Sequence, residues 1–402
     1  MASFPVPSLD ESGEVTTFLR DLIRIPSVNP PGNEAAVAAV VAAKLAEIGC
    51  DVKTYEAAPN RHNVVGRIKG DEPGPTLILN GHIDVQPAGD GWRYDPFGAE
   101  IVDGVVYGRG AMDMKAGVTS MLFGLAEVVR TKQLRKGEVI FTAVADEVSG
   151  GHKGTGWLLE NNLVQGDMAI VGEPTGDEIF IAHRGVVWME VTVSGRSAHS
   201  GRPWLGVNAV SKIAKIIHAI EKELAPSAAL MTHPMLPPPT YNFGRINGGE
   251  KYNLVADRCV LQVERRMLPG ESAEGCTAQV RQLCERLASE DMEEWSVDVQ
   301  KVMHVDGAQV DPDGRAVAEC QRAYRAIMGK EPGLGATSGF EDAHFFLQRG
   351  IDTAMFGPYR RQASEGGGRF FVNSGMADES VALADVATAI AIYATMIRNV
   401  LG

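Results

Sequence analysis

The residues of this chain best suited to chemistry lie between Leu79 and Gly117. Leu79-Asn-Gly-His82-Ile-Asp84-Val-Gln-Pro is followed by Gly108-Arg-Gly-Ala-Met-Asp113-Met-Lys-Ala-Gly117. One imidazole and two carboxylates of these types can converge on a divalent metal. The apolar run Thr76 to Leu79 ends in polar residues, as a buried strand does when it delivers its next side chains to the carboxyl edge of a sheet. Glycines at 81, 108, 110 and 117 let the backbone bend closely around whatever sits there. A His beside an Asp is also the pattern of a hydrogen-bonded core pair, and this stretch alone leaves both readings open.

Two later stretches favour the metal. Val139 to Ala145 leads into Asp146-Glu147, and Met168 to Val171 leads into Gly172-Glu173-Pro174-Thr175, so carboxylates again follow buried strands. Metal-assisted hydrolysis at neutral pH needs a few N/O ligands, an open position for water, and a carboxylate base beside that water. Several strand-end acids together with His82 supply such a set.

The elements that must position these residues alternate. Helical spacing covers Glu14–Ile25 and Asn33–Ile48, broken by Pro26 and Asn29-Pro-Pro-Gly32. Strands are predicted at 51–55, 63–68, 76–80, 138–145 and 168–171, with helices at 115–131 and 152–162. This predicts an α/β domain with a mixed, mostly parallel sheet. From about Arg184 the texture changes. Strands at 186–193, 240–247 and 258–267, with helices at 207–224 and 274–288, suggest a compact two-layer α+β insertion. Helix–strand alternation then resumes through 315–328, 343–347, 353–356 and a final helix at 380–400. The expected organisation is a catalytic domain of residues 1–183 and 301–402, interrupted by a second domain at 184–300.

Bulk properties agree with that reading. A chain of 402 residues is too long for one ordinary core. The net charge of −13 argues against a nucleic-acid surface. No apolar run is expected to reach the roughly 18 residues of a membrane helix, and Met-Ala-Ser-Phe-Pro-Val-Pro lacks the pattern of a signal peptide. The five cysteines form no Cys-x-x-Cys pair and read as reduced thiols of a cytoplasmic protein.

Over nearly its whole length the chain resembles the metallo-aminohydrolase family of acetylornithine deacetylase, succinyl-diaminopimelate desuccinylase, aminoacylase and carboxypeptidase G. The Gly-His82-x-Asp84-Val-x-Pro and Gly-Arg-Gly-x-x-Asp113-x-Lys elements carry the resemblance. It implies a zinc-peptidase-like catalytic domain and an inserted lid that forms a homodimer. By resemblance, His82 and Glu173 are metal ligands, Asp84 orients the imidazole, and Asp113 bridges two metals and precedes a cis peptide. Glu147 is then the general base. The lid carries a matching set: Gly195-Arg-Ser-Ala-His199-Ser-Gly-Arg-Pro, Asn208, Gly248-Gly249, Asn253 and Arg266. His199 resembles the residue that reaches across the dimer to the oxyanion, and Asn253 joins the substrate-binding candidates. Arg266 has two readings, a clamp on a substrate carboxylate or a partner of an acid inside the lid. His344, in Thr337-Ser-Gly-Phe-Glu-Asp-Ala-His344, resembles a residue of the active-site wall.

The chain departs from the family in two places. Asp146-Glu147-Val148 replaces the usual Asp-Glu-Glu, and Gly375 stands where a ligand His precedes Asp378-Glu379. Both losses fall on the same metal. A mononuclear centre of His82, Asp113 and Glu173 is the favoured expectation, holding zinc, with manganese or cobalt as alternatives. A shifted register, with Asp146 as base and Glu147 as ligand, would restore part of a second site, and His152, His344 and Asp378 are possible substitutes. The loop from Tyr359 to Arg369, with Arg360, Arg361 and three consecutive glycines, suits either a flap over an anionic substrate or a solvated surface loop. The expected activity is hydrolysis of a C–N amide bond in a small N-acylated amino acid-like compound by metal-activated water and Glu147. The alternatives are another C–N hydrolysis, such as deamination or urea-type cleavage, and a non-catalytic protein that retains the metal.

Overall fold

The computed structural model describes residues 3–359 and 375–402. Two compact units emerge: Met1–Ile181 with Val310–Ala336 and Glu341–Gly402, and Ala182–Gln309 with Thr337–Phe340.

The larger unit is built on a mixed sheet. Its strands run in the order Asp51–Ala58, Arg61–Lys69, Lys136–Val144, Glu72–His82, Met168–Val171, Asp352–Met355 and Glu178–His183. The four strands from Lys136–Val144 to Asp352–Met355 are mutually parallel, and the flanking pairs are antiparallel. Central strands such as 136–144 and 168–171 are buried throughout, which is why they read as continuous apolar runs. Register decides the rest. His82 lies opposite Val144, and Asn80 opposite Val171. The residues that follow these three strands therefore emerge level with one another, at one carboxyl edge. The helix Ala116–Arg130 follows the turn that carries Asp113 and packs on the buried helix Leu383–Leu401, which also packs on Arg315–Met328.

The smaller unit has four antiparallel strands ordered Thr240–Gly248, Arg258–Met267, Gly185–Ser194 and Ser296–Val305. On Gly185–Ser194, Val187, Met189, Val191 and Val193 are buried at alternate positions. They pack with Ile213 and Ile216 of Ala209–Ala219 and with Val280, Leu283 and Cys284 of Ala273–Glu290. The alternation of the strands and the amphipathic helices thus meet in one two-layer core.

Three expectations change. The strand 296–305 was not anticipated, and its pairing with 185–194 moves the end of the insertion from 300 to 309. Its residues alternate only loosely, and Gln300, Lys301 and His304 hid the pattern. The helix predicted from 152 is confined to Thr155–Glu160, because Gly150 and Gly151 hold left-handed turns before it. Finally, Leu383–Leu401 is long and apolar enough to cross a membrane by length and composition, contrary to expectation. Most of it is buried inside the protein, and a core helix enclosed on every side is apolar all round.

Candidate metal centre

His82 is the last residue of its strand and 2 % exposed. Its Nδ1 lies 2.9 Å from the Asp84 carbonyl oxygen, an acceptor, so Nδ1 carries the hydrogen and Nε2 is left to face the site. From Nε2 it is 3.0 Å to Asp113 Oδ1, 3.7 Å to Glu147 Oε2 and 3.8 Å to Glu173 Oε1. Ligand atoms of His82, Asp113 and Glu173 all lie within 4.8 Å of one another, and no other such set gathers among the described residues.

Each ligand is held locally. Asp113 sits in an irregular turn with a cis Asp113–Met114 peptide. The Met112 and Asp113 N–H groups both donate to Glu379 Oε1 at 3.1 Å, and Arg109 holds Glu379 at 2.6 Å. Lys115 donates to the Leu22 and Ile25 carbonyls and anchors the next helix. Glu173 follows Gly172, whose carbonyl oxygen would be 2.0 Å from a Cβ at Gly117, so residue 117 must be glycine for the helix to pass this close. Asp84 accepts the N–H groups of Glu147 and Val148 at 3.2 Å each and thereby sets the turn that carries Glu147.

The electrostatics suit a cation. Burial opposes a charge on His82, but Glu147, with Asp113, Asp84 and Glu173, raises its pKa well above the usual value. Burial and neighbouring carboxylates push Glu147, Glu173 and Glu341 well up, and Asp342 up to about 7. Buried Glu173 Oε1 and Glu341 Oε2 have no hydrogen-bond partner among the described residues. Crowded, orphaned carboxylate oxygens around an imidazole fit a divalent cation, and the N/O donor set without sulfur suits zinc, manganese or cobalt.

The other sequence candidates fall as follows. Asp146 turns away from His82: Arg61 binds its Oδ1 at 2.7 Å and the Lys153 N–H its Oδ2 at 2.9 Å. Asp378 is paired with Arg93 at 3.1 Å and also accepts the Arg93 N–H. His152 is exposed and meets the Phe345 ring edge-on. His344 is buried, with Nδ1 2.9 Å from the Glu341 carbonyl. Gly375 has φ +73°, and a Cβ there would meet Gln86. In the smaller unit, exposed His199 accepts the Gly201 N–H on Nδ1, and the Asn253 carbonyl accepts the neighbouring Ser200 N–H. Arg266 Nε lies 2.8 Å from Glu264 Oε1 inside the unit. Arg360 and Arg361 lie outside the described residues.

Sequence reasoning missed Glu341 and Asp342 as parts of this acidic site, although they precede His344 by only a few residues. It also missed Arg109 and Glu379 as the support of Asp113. The Arg of Gly108-Arg-Gly was the available signal.

Residues 78–399 match peptidase family M20/M25/M40. The chain is 30% identical over 398 residues, 94% of this chain and 95% of the relative, to succinyl-diaminopimelate desuccinylase of Rhodospirillum centenum. A tripeptidase from Staphylococcus aureus shares its fold with a TM-score of 0.77 at 21% identity, over 98% of this chain and 100% of the other. Human carnosine dipeptidase 1 does so with a TM-score of 0.76 at 16% identity, over 96% and 97%. The protein belongs to peptidase family M20/M25/M40, metal-dependent hydrolases of C–N amide bonds.

Proposed function

We propose that this enzyme removes the acyl group from a small N-acylated amino acid-like compound, with Glu147 as general base. The observation that carries the reading is the Glu147 carboxylate, buried and 3.7 Å from His82 Nε2 beside the three-donor set. The desuccinylase relative supports an acylated amino compound as substrate.

His82, Asp113 and Glu173 would hold one divalent cation, which polarises the scissile carbonyl and lowers the pKa of water. Glu147 accepts the proton of the attacking water and returns it to the leaving nitrogen. Asp84 orients His82 through its carbonyl and the base turn through its carboxylate. His199, contributed by a second copy of the chain, donates to the developing oxyanion; such a donor is worth about 3 kcal/mol of barrier. The edge strand Thr240–Gly248 with exposed Ile246, and exposed Trp204, Leu205 and Tyr252, support a homodimer through the smaller unit. Asn253, Arg266 and His344, with Arg360 and Arg361, are the proposed substrate contacts. One metal is favoured because Val148 and Gly375 offer no ligand. Five buried free cysteines support a cytoplasmic location.

The test pairs elemental analysis with turnover of a panel of N-succinyl and N-acetyl amino acids. One metal per chain is expected. Glu147→Gln is expected to keep that metal and lose on the order of 10²- to 10⁴-fold in kcat. A fully loaded E147Q variant with native turnover would sink the mechanism.

A further inference from the structure

We propose that Arg61 is a positioning residue for the base, fixing the turn 146–149 from behind; this rests on the reading of Glu147 above. Arg61 is 4 % exposed, and its planar fork meets four groups. Nη2 donates to Asp146 Oδ1 at 2.7 Å, and Nη1 to Asn29 Oδ1 at 3.3 Å and the Pro31 carbonyl at 3.0 Å. Nε lies 3.0 Å from Glu34 Oε2, deep in the interior.

Two routes lead from this guanidinium to Glu147. Asp146 precedes the base directly and holds φ +75°, a left-handed conformation that a side-chain anchor stabilises. At the other end of the turn, the Ser149 hydroxyl donates to Asn29 Oδ1 at 2.9 Å. Asn29 in turn donates to Asp84 Oδ2 at 2.8 Å, and Asp84 takes the Glu147 and Val148 N–H groups. Both ends of the turn, and the carboxylate that holds its middle, thus connect to one cation. The space is reserved for it: a Cβ at Gly32, where φ is +89°, would lie 1.8 Å from Nη1.

Lysine keeps the charge but lacks the fork, so it can serve Asp146 or Asn29 with Pro31, not both. A base displaced by about 1 Å costs on the order of 10²-fold in rate. For Arg61→Lys, kcat is expected to fall by roughly tenfold to 10²-fold, while KM and metal content stay native. A purely structural Arg61 would lower the unfolding midpoint yet leave kcat per metal-loaded site unchanged, and that result overturns the proposal. Should R61K fail to fold, Asp146→Asn keeps the shape and tolerates the positive φ while weakening the same bond. A fall in its kcat supports the proposal, and a native kcat overturns it. Glu147→Gln assayed alongside, on the N-succinyl amino acid turned over best, separates the two readings. If E147Q is inactive and R61K native, only the role of Arg61 fails. If E147Q retains turnover, the base assignment fails and this proposal with it.

Discussion

Asp84→Asn should damage the fold and the site together, by an amount that follows from three bonds. Asp84 is completely buried. Burial opposes its charge, but His82 and Asn29, with Arg61 farther away, hold its pKa below the usual value. Its Oδ1 accepts the Glu147 N–H, and its Oδ2 accepts the Val148 N–H and the Asn29 amide. An asparagine of the same shape keeps one oxygen. Its better rotamer leaves that oxygen on Val148 and Asn29 and turns NH₂ toward the Glu147 N–H. That buried donor then faces a donor, which costs about 1–3 kcal/mol. The two surviving bonds lose their charge assistance, about 1 kcal/mol each. The expected destabilisation is therefore about 3–5 kcal/mol, read from urea unfolding of metal-loaded protein followed by circular dichroism. Because the lost bond is on the base's own backbone, kcat should also fall by about tenfold or more. An Asp84→Asn variant with stability within about 1 kcal/mol of native and unchanged kcat would refute the assignment of Asp84 as the clamp on this turn.

Further outcomes follow from the same geometry. In chelated protein, burial raises Asp342 and Glu379 to about 7 and Glu34 to about 8. Unfolded carboxylates titrate near 4, so the folded chain binds more protons between about pH 5 and 7, and stability falls as pH rises. His183, pushed down to about 4 by burial, has the opposite sign there but is one group against these acids. The chelated protein's thermal midpoint is thus expected to be higher at pH 5 than at pH 7, and the reverse order would contradict the electrostatic picture. Gly117→Ala sets a methyl 2.0 Å from the Gly172 carbonyl. It should destabilise by about 2 kcal/mol or more, and by displacing Glu173 it should weaken zinc binding roughly tenfold to 10²-fold in calorimetric titration. Native zinc affinity in that variant would show that the helix and the ligand strand are not coupled.

Much of this protein was already determined by sequence alone. The apolar runs before His82, Asp146-Glu147 and Glu173 marked buried strands that end in chemistry, because a parallel strand covered on both faces must be continuously apolar and its polar groups must wait until the chain leaves the sheet. The smaller unit was legible for a related reason: period-two and helical patterns persist wherever one face is buried and the other is wet. The strand 296–305 was not legible, since polar residues fall on both of its faces and only a few, such as Val299, reach the core. Tertiary structure decided which acids meet. Neighbours in sequence part company at the base turn, where a left-handed Asp146 aims its own carboxylate at Arg61 and leaves Glu147 facing His82. Arg61 joins from a segment with no motif, and Glu341 from one whose resemblance pointed only to His344. Coulomb forces act through space across distances that sequence separation does not record, so the crowding of carboxylates, and the cation it calls for, exist only once the chain has folded.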